Sequence, residues 1–168
     1  MVYERNEIMK KYGYIMLLGL SSLIGCRQEP VATLPAFDLL LADGATILNT
    51  GSLPEGNISM FIHFDSDCKG CQKETRSLLQ HMDALKDVSI YFITAQELEQ
   101  AKVFRDHFKL ASYSNIAVAQ DVALFFPRHF NNGVTPLLAL YDRKQRLRAV
   151  FEGEADMNKL LSVIEDIR

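Results

Sequence analysis

The chain has 168 residues, of which 48% are hydrophobic and 23% are charged, and its formal net charge is -3. This composition predicts one soluble globular domain with a core of its own. The lysines and arginines are scattered rather than clustered into a stripe, so neither the net charge nor its distribution indicates nucleic-acid binding.

The first 26 residues have the pattern of a secretory signal. The basic stretch Met9-Lys10-Lys11 precedes an uncharged run from Tyr12 to Gly25, and fourteen residues are too few to span a bilayer comfortably. Two glutamates precede the basic stretch, so we expect Met9 to be the true initiator. If Cys26, the last residue of this segment, is a chance cysteine rather than a lipidation site, the segment is instead an ordinary cleaved signal or a membrane anchor.

The signal ends in the segment LIGC, residues 23–26, which resembles the lipobox of bacterial lipoproteins. The resemblance implies that Cys26 is lipidated and anchors the protein to a membrane of the bacterial cell envelope, facing the periplasm or the exterior. Residues 27–36 are polar and contain prolines, which predicts a linker. Disulfides persist outside the cytoplasm, so the other two cysteines are considered first as a redox pair.

The strands are predicted from apolar or alternating runs between turn signals. The run Ile58–Phe64 is nearly all apolar, which is typical of a central strand covered on both faces. An Asp-Gly dipeptide indicates an N-terminal hairpin. The other predicted strands are Phe37–Leu41 and Thr46–Asn49 in this hairpin, Val88–Ala95, Asn115–Ala119, and a second hairpin of Pro136–Asp142 and Arg146–Glu152.

Four helices are predicted between and after these strands. The first begins at Lys69 and carries an apolar stripe that extends to Met82 and Leu85. The third, which begins at Val122, is expected to be capped by Asp121 and to be ended or bent by Pro127. The second covers Gln96–Lys109, the third runs from Val122 towards Phe130, and the fourth covers Ala155–Ile167. The alternation predicts an α/β domain over residues 37–168, with helices on both faces of a central sheet.

Cys68 and Cys71 lie where the central strand gives way to the first helix. A cysteine at a helix N-terminus is shifted toward the thiolate, which is the nucleophile in disulfide exchange. Cys68 has that position. Cys71, one helical turn further on, is placed to attack a mixed disulfide and release the partner. Gly70 between them leaves out a side chain where a protein substrate would approach.

The same cysteine spacing occurs in half of a structural zinc site. The chain has no second cysteine pair and its histidines are dispersed, so we predict no metal site and no other cofactor. We expect His63 to be a polar residue on an alternating strand face, and His81 and His107 to lie on solvated helix faces; the fourth histidine is His129. Two inert buried thiols remain an alternative.

Three segments together resemble the TlpA-like thiol-disulfide oxidoreductases, which have the thioredoxin fold. They are FDLLLADG, ISMFIHFDSDCKGCQKE and GVTPLLALYDRKQRL, and they resemble the extra N-terminal β-hairpin, the active-site strand and helix, and the cis-proline segment. The resemblance implies a central mixed sheet and a cis Pro136, preceded by Thr135, that faces the cysteines. Asp67 stands where the family commonly has an aromatic residue, which leaves open whether the pair is a reductant or an oxidant.

This resemblance implies an envelope-tethered enzyme whose catalytic residues are Cys68, Cys71, Thr135 and Pro136. Its implied partners are proteins with thiols or disulfides, a membrane thiol donor, and the membrane itself through the lipid on Cys26. One alternative is a thiol-dependent peroxidase, although that family pattern has a threonine three residues before the cysteine, where this chain has Asp65. Another is a non-enzymatic module that binds a partner or a metal such as Cu(I).

Overall fold

The computed structural model describes residues 32–168. The predicted signal, the lipobox cysteine Cys26 and the first part of the predicted linker lie outside these residues. Among residues 32–168, no helix is both long enough and apolar enough to cross a membrane.

A seven-stranded mixed sheet lies at the centre of the domain, in the order β2-β1-β5-β4-β3-β6-β7. Strands β3, β4 and β5 are parallel, while β1, β6 and β7 pair antiparallel with their neighbours. The strands are β1 Asp38–Leu41, β2 Ile47–Asn49, β3 Ile58–His63, β4 Val88–Thr94, β5 Ile116–Gln120, β6 Leu137–Tyr141 and β7 Leu147–Glu152. The predicted α/β class, mixed sheet and extra N-terminal hairpin are confirmed.

Helices cover both faces of this sheet, as predicted. They are α1 Lys69–Leu79, α2 Leu98–His107, α3 Phe125–His129 and α4 Met157–Asp166. Helices α1, α2 and α4 contribute Leu78, Phe104 and Leu160 to one core cluster. Helix α3 contributes Phe126 to the second cluster, which also contains Phe37 and Leu39 from the N-terminal side.

Strand β3 is buried along its whole length, since all six of its residues are buried. Successive side chains of a strand point to opposite faces, so Met60 and Ile62 enter the first cluster while Phe61 enters the second. The central strand is therefore confirmed. His63 was expected to be a polar residue on an alternating strand face; because both faces of β3 are covered, it is buried, with only 3% of its surface exposed.

Helix α1 is shorter than its apolar stripe predicted. It ends at Leu79, and residues 80–87 form turns in which the Leu85 amide donates to the Met82 carbonyl at 3.1 Å. Leu85 is nevertheless fully buried, so the apolar pattern reflects burial rather than helix. His81 also lies in these turns, half-buried, and not on a helix face. His107 ends α2 and is exposed as expected.

Helix α3 begins later than predicted. Its N-cap residue is Leu124 and not Asp121 as predicted, although Asp121 Oδ2 accepts from the Phe126 amide in its first turn at 2.7 Å. The prediction that Pro127 ends or bends the helix is wrong, because Pro127 is the third residue of α3. Amides in the first helical turn have no intrahelical partner, so a proline costs nothing there.

The last part of the predicted linker packs against the domain. The Leu34 amide donates to Gln145 O at 2.8 Å, the Leu147 amide donates to Ala32 O at 2.7 Å, and Leu34 is buried. These contacts lie beside the β6–β7 turn. That turn is at the start of β3, since Tyr141 pairs with Ser59, so residues 32–34 lie at the end of the sheet away from α1.

Candidate active site

The sheet brings the four predicted site residues to one edge. They are Cys68, Cys71, Thr135 and Pro136. Parallel strands β3, β4 and β5 end there, and Cys68 follows β3 as the residue that caps α1. Strand β6 runs in the opposite direction and begins at the same edge, where Leu137 pairs with His63. The Thr135-Pro136 segment directly precedes β6, so it meets the N-terminus of α1.

Cys68 contacts both helix α1 and the Thr135-Pro136 segment. Its Sγ accepts a hydrogen bond from the Cys71 amide at 3.1 Å, one of the first-turn amides that have no partner within the helix. Its S–H group donates to the Thr135 carbonyl at 3.4 Å. Both cysteines are reduced; Cys68 is half-buried and Cys71 is buried.

The two thiols have opposite acidities. Burial pushes the pKa of Cys68 upward, but hydrogen bonds from the thiol and amide of Cys71, from Thr135 and from the Gly70 amide outweigh it and hold this pKa below its usual value. Burial raises the pKa of Cys71 to about 12, and its hydrogen bond to Cys68 acts in the same direction. Cys68, the more accessible of the two, is therefore the more acidic thiol and the one that ionises first, while Cys71 retains its proton.

The proline segment packs directly on the turn between the cysteines. The Thr135-Pro136 bond is cis, as the resemblance implies. A Cβ added at Gly70 would come within 3.3 Å of Pro136 Cδ and 3.6 Å of Glu154 Cγ. The missing side chain at Gly70 thus allows this close packing, and the space beside it is occupied by Pro136 and Glu154.

Asp65 belongs to the site although the sequence did not assign it a role there. Its Oδ2 accepts from the Thr135 hydroxyl at 3.2 Å, and its carbonyl accepts from the Cys68 amide at 3.2 Å. The only local feature of the sequence that could have assigned Asp65 to the site is its position three residues before Cys68. The contact with Thr135, 70 residues along the chain, leaves no local signal.

Glu74 is a second residue that the sequence did not assign to the site. It is only 3% exposed, its Oε2 accepts from the Ala155 amide at 2.9 Å, and its Oε1 has no partner among the described residues. Burial raises its pKa to about 7, and the charge of Glu154 acts in the same direction. The available signal was its spacing of three from Cys71, which places both residues on the inner side of α1.

Replacing Glu74 with glutamine is expected to remove a pH dependence of stability. The pKa of about 7 in the folded state exceeds the usual 4.5, so the folded state binds this proton more tightly. Its stabilising contribution is complete below pH 4.5 and is lost as the pH rises to 7, by about 3 kcal/mol at 1.36 kcal/mol per pKa unit. Urea unfolding at pH 5 and pH 8 should show this decline in the wild type and not in Glu74→Gln, which keeps an acceptor for Ala155. Equal declines in both proteins would contradict the assignment.

A further pair of buried polar side chains lies at this edge of the sheet. Both ring nitrogens of His63 and the Oδ1 of Asp121 have no partner among the described residues. Burial lowers the pKa of His63, while the charges of Asp65 and Asp121 oppose that shift. His129, the fourth histidine, is exposed at the end of α3. Within residues 32–168, no group of three His, Cys, Asp or Glu side chains is arranged to hold a metal ion.

The fold and this edge together define a class of structure: a thioredoxin fold with a reduced dithiol at the N-terminus of its first helix and a cis-proline beside it. No protein-family model matches the chain, and no curated protein matches it. Similarity is found among solved structures.

Three similar structures come from bacteria. A candidate thioredoxin from Neisseria meningitidis is 20% identical, with a TM-score of 0.66 over 79% of this chain and 87% of that one. A secreted Mycobacterium tuberculosis disulfide oxidoreductase is 17% identical, with a TM-score of 0.64 over 77% and 95%. The peroxidoxin BcpB from Mycobacterium tuberculosis is 16% identical, with a TM-score of 0.67 over 82% and 96%. At these identities the likeness establishes the fold alone.

Proposed function

We propose that this protein is a TlpA-like thiol-disulfide oxidoreductase whose Cys68-Cys71 pair exchanges disulfides with partner proteins. The observation that carries the proposal is the opposite acidity of the two thiols, with the pKa lowered at Cys68 and raised to about 12 at Cys71. A half-buried thiol of lowered pKa beside a buried thiol that keeps its proton is the arrangement that two-step disulfide exchange requires. The disulfide oxidoreductase among the similar structures supports the same reaction.

The reaction proceeds through a mixed disulfide. The Cys68 thiolate attacks one sulfur of a partner disulfide, the partner S–S bond breaks, and the other partner sulfur leaves with the electron pair and takes up a proton. Cys71 then loses its proton and attacks Cys68 Sγ, so the second partner sulfur leaves as a thiolate. The partner is reduced and the Cys68-Cys71 pair is oxidised by two electrons. A membrane thiol donor would then return the pair to its reduced state. The reverse sequence starts from the Cys68-Cys71 disulfide, oxidises a partner dithiol and leaves the pair reduced.

Two exposed apolar side chains at the same end of the sheet as the dithiol suit a protein partner. Val134 directly precedes Thr135 and is 49% exposed, and Val122, just after β5, is 65% exposed. Val122 follows β5, which ends at the dithiol edge of the sheet, and Val134 precedes β6, which begins there. In this proposal Thr135 and Pro136 hold an extended segment of the partner against Cys68.

The proposal places the protein in the bacterial cell envelope, tethered by lipid on Cys26. The LIGC segment supports this location, as does a cysteine pair suited to an oxidising compartment. The described chain begins at the end of the sheet away from α1. This end of the described chain is therefore at the opposite end of the sheet from the dithiol.

A thiol-dependent peroxidase is the second candidate, since a peroxidoxin is among the similar structures. Two assays on the full chain distinguish the candidates: reduction of a peptide disulfide by dithiothreitol, and consumption of hydrogen peroxide with the same thiol donor. We expect catalysis of the first above the uncatalysed rate, and peroxide loss no faster than with Cys68→Ser. Fast peroxide loss that depends on Cys68, without disulfide exchange, would replace the proposal with the peroxidase.

A further inference from the structure

Asp65 joins the two segments that form the dithiol site. Its carbonyl accepts from the Cys68 amide at 3.2 Å, and its Oδ2 accepts from the Thr135 hydroxyl at 3.2 Å. Thr135 meets the dithiol on its other side, where its carbonyl accepts from Cys68 Sγ–H at 3.4 Å. We propose that Asp65 is a positioning residue that, acting through Thr135, favours the disulfide form of the Cys68-Cys71 pair and makes it a reductant of partner proteins. This role rests on the proposed exchange function.

The argument begins with the single proton of the Thr135 hydroxyl. In the structure this proton is donated to Asp65 Oδ2 at 3.2 Å, while a hydrogen bond from the Thr135 side chain to either sulfur lowers the pKa of that thiol. Asp65 competes for this proton, because a hydrogen bond to a carboxylate is about twice as strong as one between neutral groups. The Cys68 thiolate therefore receives the amides of α1 but less of the Thr135 hydroxyl than it would if Asp65 were absent.

The stability of that thiolate sets the direction of exchange. Reduction of the Cys68-Cys71 disulfide consumes two electrons and one proton and yields one thiolate and one thiol. Proteins whose reduced form is stabilised are strong oxidants. Asp65 withdraws a proton donor and adds a negative charge, and both effects destabilise the reduced form. The reduced pair consequently passes its electrons to a partner disulfide more readily.

Neighbouring charges differ from Asp65 in their contacts. Lys73 pairs with Glu154 at 2.5 Å, and Asp67 accepts from the Ser66 hydroxyl at 3.4 Å. Asp67 is adjacent to Cys68 and exposed, so it is a matched control for the loss of one carboxylate. The titratable groups around the pair are Asp65, Asp67, Lys69, Lys73 and Glu74 from the turn and α1, His63 from β3, Asp121 after β5, and Glu154 before α4.

The test is the redox equilibrium of the full chain with glutathione, carried out in a Cys26→Ser background so that two thiols remain, and measured by alkylation. We expect Asp65→Ala to shift the equilibrium constant about tenfold toward the reduced protein, the size of one hydrogen bond to a charged group, or about 30 mV at 29.6 mV per tenfold. Asp65→Asn keeps an acceptor for Thr135 without the charge, so a smaller shift in the same direction is expected. Asp67→Ala should shift it less than about twofold, since exposed charges are screened.

A double-mutant cycle separates this role from a simple charge effect. In a Thr135→Val background, Asp65→Ala should shift the equilibrium less than about twofold, because the intermediary is gone. An unchanged equilibrium in Asp65→Ala, an equal shift in the Thr135→Val background, or an equal shift in Asp67→Ala would each overturn the proposed role of Asp65. A wild-type pair that does not exchange with glutathione at all would instead refute the proposed function, and the role of Asp65 with it.

Discussion

Replacing Cys68 with serine is expected to abolish disulfide exchange, with a loss of about a thousandfold or more in rate. The physical reason is that Cys68 is the half-buried thiol with the lowered pKa, while the pKa of Cys71 is raised to about 12. Few Cys71 side chains are ionised near neutral pH, and this thiol is only 1% exposed. It therefore cannot replace Cys68 as the attacking group.

The loss is measured as the rate at which the full chain catalyses reduction of a peptide disulfide by dithiothreitol. Cys26→Ser is the matched control, since it makes the same chemical change outside the dithiol and should leave this rate unchanged. Circular dichroism of Cys68→Ser checks that the fold is retained. Residual exchange within tenfold of the wild type would contradict the assignment of Cys68 as the nucleophile.

Replacing Cys71 with serine is expected to stop the reaction at the mixed disulfide. Cys68 remains able to attack, but the serine hydroxyl cannot attack the resulting disulfide, so only thiols from solution can release the partner. Intramolecular attack carries a large effective concentration, and its loss should extend the lifetime of a mixed disulfide with glutathione about a hundredfold or more.

Mass spectrometry of the full chain in the Cys26→Ser background, where only the dithiol can carry glutathione, measures this lifetime directly after treatment with oxidised glutathione. The wild type should pass to the internal disulfide and carry no adduct, whereas Cys71→Ser should retain one glutathione. The double variant Cys68→Ser, Cys71→Ser should carry none at the dithiol. Release from Cys71→Ser at the wild-type rate would show that Cys71 is not the resolving thiol.

The central part of the fold follows from local patterns. The end of α1 was predicted wrongly because a residue can be buried without being part of a helix. Strand β3 was predictable because a nearly unbroken apolar run is typical of a strand covered on both faces. The end of α1 was not predictable from the same kind of pattern. Leu85 keeps the apolar spacing of the helix but is buried from a turn, and hydrophobic periodicity does not distinguish these two cases.

In the candidate site, too, the features that are local in sequence were predictable and the contacts between distant residues were not. The spacing of Cys68 and Cys71 and their place at a helix start are local features. Thr135 and Pro136 were identified only through the resemblance of their segment. The contacts of Asp65 with Thr135 and of Glu74 with Ala155 join residues 70 and 81 positions apart, and the burial that raises the pKa of Glu74 likewise has no local signal.

The redox equilibrium of the Cys68-Cys71 pair tests the central claim most directly. The full chain in the Cys26→Ser background is titrated against thiol buffers, and the two thiols are counted by alkylation. A reversible two-electron transition above roughly -300 mV, typical of labile working disulfides, is the predicted result. A pair that never oxidises, or a disulfide that the buffers cannot reduce, would contradict the account and indicate a structural or binding role for the two thiols.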